Sequence, residues 1–115
     1  MAVTINGHTY PSGDDPHTFT LTDDEVLILF EMFERLEEER GIRFAHPAEW
    51  AALGHFTAQL ESTLWQVFSD YETYLREARA RRARDFEGHV DGLGYVKALD
   101  DGTFVETADP DAKLR

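Results

Sequence analysis

"STLWQVFSDYETYL", residues 62–75, decides the fold. If a helical pattern runs through it the chain has one very long helix, and if "SDYE" at 69–72 caps a new helix it has two. Apolar positions follow a three-four spacing from Trp50 through Leu53, Thr57, Leu60, Leu64, Val67, Tyr71, Tyr74 and Ala78. Phe56, Trp65, Phe68 and Leu75 broaden that stripe. Neither Gly54 nor Ser62-Thr63 shifts its phase. The pattern therefore predicts one helix over 47–87, with Pro47 at N1, Glu49 in the first turn and Gly88 beyond the end. The competing reading is a break at Ser69, which has capping-box spacing to Glu72.

Upstream, "LTDDEV" at 21–26 is a helix start. Thr22 can cap with Glu25 at N3, Leu21 and Val26 stand at the staple positions, and Asp23, Asp24 and Glu25 complement the helix dipole. The first helix is expected over 22–40, with Gly41 as the C′ residue and Ile42 set to touch Leu36. Val26, Leu29, Phe30, Phe33 and Leu36 form its apolar face, and Leu27, Ile28 and Met32 widen it to nearly the full circumference. Glu37, Glu38 and Glu39 break a local rule, since acids are disfavoured in a last turn. Residues 1–10 read as a β-hairpin turning at Asn6-Gly7, and residues 94–107 as a second turning at Asp101-Gly102. Residues 108–115 read as a frayed tail. The expected fold is mainly α with small β elements (α+β): one domain, an antiparallel helical hairpin with one long helix, flanked by N- and C-terminal β-hairpins.

Helix lengths then argue for association. At 1.5 Å per residue the second helix would be roughly 60 Å long and the first only about 28 Å. Folded back, the first cannot reach the Tyr71, Tyr74 and Leu75 end. Trp65, Phe68, Tyr71, Tyr74 and Leu75 are thus the candidate partner or self-interface, because Trp and Tyr dominate interface hot spots. An oligomer follows as the expectation.

Charge narrows the partners. The chain of 115 residues carries a formal net charge of −12. Residues 1–75 hold 14 acids against three bases, and residues 76–84 hold five arginines against one acid. An acidic field repels nucleic acid and anionic membrane, so proteins with basic surfaces are favoured. Arg76, Arg79, Arg81, Arg82 and Arg84 would project at about 0, 300, 140, 240 and 80 degrees around a helix axis. That makes a collar, not a DNA-reading stripe. They offset the dipole end or dock electrostatically on an acidic surface such as Glu37 to Glu39 of a neighbour.

Little points to catalysis. There is no cysteine, which excludes disulfides, thiolate zinc sites and cysteine nucleophiles. His8, His17, His46, His55 and His89 form no i, i+4 pair, and no Glu-x-x-His tetrad of a di-iron bundle occurs. Phosphate loops and a nucleophile elbow are missing, so no cofactor or metal is expected. Gly92 and Gly94 suit a hairpin better than a phosphate. No run of about 18 apolar residues and no signal-peptide pattern is present, which predicts a cytoplasmic protein.

The segment "INGHTYPSGDDPHTFTLTDDEVLILFEMFERLEEERGI", residues 5–42, resembles the beginning of tail-assembly chaperones from tailed phages of actinobacteria. The likeness rests on the Asn6-Gly7…Tyr10 hairpin, the "FTL" at 19–21 and an acidic first helix ending at Gly41. It covers about a third of the chain; the arginine block and "DGLGYVKALDDGTFV" at 91–105 lie beyond it. It implies a non-enzymatic phage assembly factor or virion component that binds phage structural proteins, in the host cytoplasm or the virion. Two other readings stand beside it. One is an acidic mimic of nucleic acid that inhibits a DNA-binding or defence protein through Asp14, Asp15, Asp23, Asp24, Glu31, Glu34, Glu37, Glu38 and Glu39. The other is a haloarchaeal domain whose acidity reflects a saline habitat, in line with nine Arg against two Lys.

Overall fold

The computed structural model describes residues 2–5, 8–11, 13, 15–64 and 70–108. Two strands come first, β1 (Ala2–Ile5) and β2 (His8–Pro11), paired antiparallel with Ile5 opposite His8. The expected Asn6-Gly7 turn between them lies outside the described residues. Three helices follow, α1 (Asp23–Glu38), α2 (Pro47–Ser62) and α3 (Tyr71–Arg82). A three-stranded antiparallel sheet closes the order: β3 (Glu87–Val90), β4 (Gly94–Ala98) and β5 (Phe104–Glu106). The architecture is mixed α+β. Among the described residues no helix is long and apolar enough to cross a membrane.

The start of α1 is the capping box that its sequence specifies. The Glu25 N–H donates to Thr22 Oγ1 at 3.2 Å, and the Thr22 N–H donates to Glu25 Oε1 at 3.1 Å. Its end differs from expectation by one residue. Arg40 takes the left-handed conformation at φ 53°, its N–H donating to the Glu37 carbonyl at 3.2 Å while the Gly41 N–H reaches the Leu36 carbonyl at 2.8 Å. This is a Schellman ending with Arg40 at C′ and Gly41 at C″. At α2, His46 caps, its Nδ1 accepting from the Ala48 N–H at 3.0 Å, with Pro47 in the first turn.

The single long helix over 47–87 is not what the structure contains. The helix stops at Ser62, with Thr63 as its cap, and resumes at Tyr71. Ser62 and Thr63 donate their hydroxyls to the Gln59 and Leu60 carbonyls at 2.8 Å each, so both side chains compete for backbone acceptors as the helix ends. The second cause is burial. The wide apolar face of α1 packs against both α2 and α3, which covers Leu75 and Ala78 together with Leu27, Phe30, Leu60 and Leu64. Burying a leucine in this way contributes about 1.5–3 kcal/mol; a continuous helix would forgo it. Val26, Ile28, Leu29, Phe33 and Tyr71 pack around that core, and the rings of Phe33 and Phe56 meet edge to face at 5.8 Å.

Helix α3 also ends before 87. Asp85 turns the chain at φ 62°, a conformation Asp tolerates, and Gly88 lies inside β3 instead of terminating a helix. The C-terminal hairpin forms as expected between β4 and β5, with Ala98 opposite Phe104. Leu99 donates its N–H to the Thr103 carbonyl at 2.8 Å around Asp100, Asp101 and Gly102, the last at φ 86°. Ala108 is described and exposed; the rest of the expected tail lies outside the described residues.

Candidate functional site

The expected interface at the far end of the helical pattern falls apart into core and surface. Leu75, only 7 % exposed, belongs to the intramolecular core. Tyr71 is half-buried and donates its hydroxyl to Glu31 Oε2 at 2.6 Å. Burial first, then Glu31, pushes the Tyr71 hydroxyl well above its ordinary range. The expectation that α1 could not reach this end fails because α3 folds back. Tyr74 remains exposed. Trp65 and Phe68 lie outside the described residues.

The arginine collar divides likewise. Arg81 holds Asp24 through both carboxylate oxygens, Nε to Oδ2 and Nη2 to Oδ1 at 2.8 Å each, and lies 4.0 Å from Glu77. The Arg81 hydrogen bond holds the Asp24 carboxyl below its usual range. Arg82 approaches Glu25 at 3.5 Å. Two collar members thus fasten α3 to the first turn of α1, which the spacing of charges could have suggested only with the fold in hand. Arg76, Arg79 and Arg84 are exposed.

Of the acidic candidates, Asp24 and Glu31 are engaged inside the fold. Asp15, Asp23, Glu37, Glu38 and Glu39 are exposed, and Asp14 lies outside the described residues. Glu34 is the perturbed one. Burial, then the charges of Glu37, Glu61, Glu38 and Glu31, raise its carboxyl above the ordinary range. Carboxylates of α1 and α2 therefore crowd around Glu34. Among the described residues no group of three or more His, Asp or Glu side chains could hold a metal ion.

The feature that residue patterns alone did not single out is the opposite end of the α2 stripe. Along one helical face Leu64, Leu60 and Thr57 are buried, Leu53 is half-buried and Trp50 is 67 % exposed. Burial fades because α1 supplies no apolar side chain beyond Leu36. Trp50 borders a cavity of about 260 Å³ with Leu36, Glu37, Arg40, Ile42 and Phe44. The signal was present in the sequence, since Trp50 opens the stripe four residues after the His46 cap, where the shorter first helix is ending.

A second cavity of about 510 Å³ is lined by His17, Phe19, Leu21, Val26, His55 and Phe56 among others, between the segment leading into α1 and the side of α2. Leu21 and Val26, the expected staple pair, both border it. Neither a family model nor a curated protein nor a solved structure matches the chain.

Proposed function

We propose that the chain is a non-enzymatic, acidic interaction protein whose working surface is the Trp50 end of α1 and α2. The observation that carries this is the fading burial along one α2 face: a stripe built to be covered, buried at Leu60 and open at Trp50. Trp is among the residues that contribute most when an interface buries them, and Phe44 and Ile42 flank it in the same cavity. Phage tail or head assembly is the setting we propose, on the likeness of residues 5–42 to tail-assembly chaperones. Leu75 and Tyr71 of the expected interface are taken up inside the fold, so the surface proposed here is Trp50. A photo-crosslinking amino acid at position 50, and at the exposed Glu72 as control, tests the reading in the producing cell. A protein adduct from position 50 alone supports it; uncrosslinked chain from both positions contradicts it.

A second reading has one observation in its favour. The crowding of Glu31, Glu37, Glu38 and Glu61 around Glu34 is the arrangement an imitator of a phosphate backbone would use. Retention of the chain on an arginine-rich DNA-binding domain at low salt, lost at high salt and lost in Glu37→Lys/Glu38→Lys, would support it. Equal retention of that variant would remove it.

A further inference from the structure

We infer that the chain assembles head to tail, the Trp50 end of one copy seating in an arginine-lined notch of the next. The inference rests on the interaction reading and names its partner: a second copy of this chain. The notch lies where α1, α3 and the sheet meet. Arg35 comes from α1, Arg79 from α3, Leu93 from the turn before β4, and Gly102, Thr103 and Phe104 from the turn and strand after it, around about 570 Å³. Among the described residues no carboxylate lines it, in a chain with 23 acids against 11 bases. Phe104 and Leu93 stand about half exposed at its wall. The notch thus offers guanidinium and apolar groups together.

The Trp50 end offers the complement. Its cavity holds an exposed indole, Phe44 and the carboxylate of Glu37. Arg40 also borders it, and one turn back on α1 burial, then the charges of Glu37, Glu61, Glu38 and Glu31, hold the Glu34 carboxyl above its usual range. A guanidinium from a neighbouring copy would relieve that crowding and stack on the indole face, where cation–π attraction acts. Glu37 and Glu38 would accept charge-assisted hydrogen bonds from the same group. The notch, with guanidinium groups and no carboxylate among its described lining residues, does not complement itself. Arg35 and Glu37 stand two residues apart on α1 and so project about 200° from each other, placing the notch and the Trp50 end on opposite sides of that helix. A contact between two different patches does not close with two copies; it propagates into a ring or an open chain.

Trp50→Ala and Arg79→Glu test this, because each removes one face and leaves the other. Light scattering should give wild-type mass that grows with concentration past twice 13.2 kDa, and a monomer for either variant alone. An equimolar mixture of the two variants should form a heterodimer and stop there. Arg35→Glu should behave as Arg79→Glu does, which guards against a folding defect in one variant, and circular dichroism should be wild-type for all three. Variants that still assemble alone, or a mixture that stays monomeric, would overturn the head-to-tail pairing. A wild-type monomer at every concentration would overturn it too, while a crosslink from position 50 to a different protein would leave the interaction reading standing.

Discussion

The two helices that lean on α1 are held very differently. Helix α3 is fixed by buried Leu75 and Ala78, by the two-point Arg81–Asp24 pair, by the Tyr71–Glu31 hydrogen bond, and by the β4–β5 turn pressed against its backbone. A Cβ at Gly102 would collide with the Arg76 carbonyl oxygen and lie 2.7 Å from Arg76 Cγ. Among the described residues the N-terminal part of α2 is held by the His46 cap and the Ala45 N–H donating to Glu49 Oε1, and further along by the edge-to-face contact of Phe56 with Phe33. A helix held through polar locks and a filled core is a structural part; one whose apolar stripe runs out into solvent is a surface waiting for cover. The contrast is what separates scaffold from proposed site in this chain.

The largest way to break the comparison is at the core. Leu75→Ala should cost about 3 kcal/mol in urea unfolding, because it opens a cavity among Leu27, Phe30 and Ala78. Trp50→Ala should change the stability of the dilute chain by no more than about 0.5 kcal/mol, as exposed positions do. Equal costs would mean that α2 is as well covered as α3. Next comes Gly102→Ala, which combines a positive φ with the collision at Arg76 and should cost about 2–3 kcal/mol by the same measurement.

Arg40→Gly works in the other direction. Arg40 holds a left-handed conformation that glycine adopts without strain, so the change should raise stability by about 0.5–1 kcal/mol. An unchanged unfolding midpoint would show that the Arg40 side chain contributes as much as its backbone costs.

Acidification should separate the two regions by sign. The folded Asp24 carboxyl lies below its ordinary range, so its pairing stabilises at neutral pH and is lost as pH falls through the carboxylate range. Glu34 lies above its range; its ionisation costs stability at neutral pH, and protonation relieves that cost. Asp24→Asn should therefore lower stability at pH 7 and Glu34→Gln should raise it, with both differences shrinking below about pH 4. Denaturation curves at two pH values check both, and a Glu34→Gln loss at pH 7 would contradict the crowding around Glu34.

Much of this was legible before any coordinates. The capping box at Thr22 and Glu25, the start of α2 at Pro47 and the turn between β4 and β5 rest on local chemistry, where neighbours in sequence decide the outcome. The break between α2 and α3 was hidden by a coincidence of phase: Leu60 and Leu64 on one side and Tyr71, Leu75 and Ala78 on the other keep helical register although the helix stops between them. Ser62-Thr63 was the available clue, through hydroxyls that bond back to carbonyls. Once the long helix is gone, Leu75 moves from surface to core, and Trp50 stands exposed at the other end of the stripe. Strand β3 was missed for a related reason, since Gly88 suits a helix end as well as a strand. The Arg35, Arg79 and Phe104 notch has no sequence signature, because three separate elements supply it.

Amide hydrogen exchange at two protein concentrations tests most directly whether the first half of α2 is a surface that assembly covers. Residues 71–82 should exchange slowly and alike in dilute and concentrated protein, while residues 47–56 should exchange fast when dilute and become protected as concentration rises. Protection of 47–56 that equals that of α3 at high dilution, or that ignores concentration, would contradict the account.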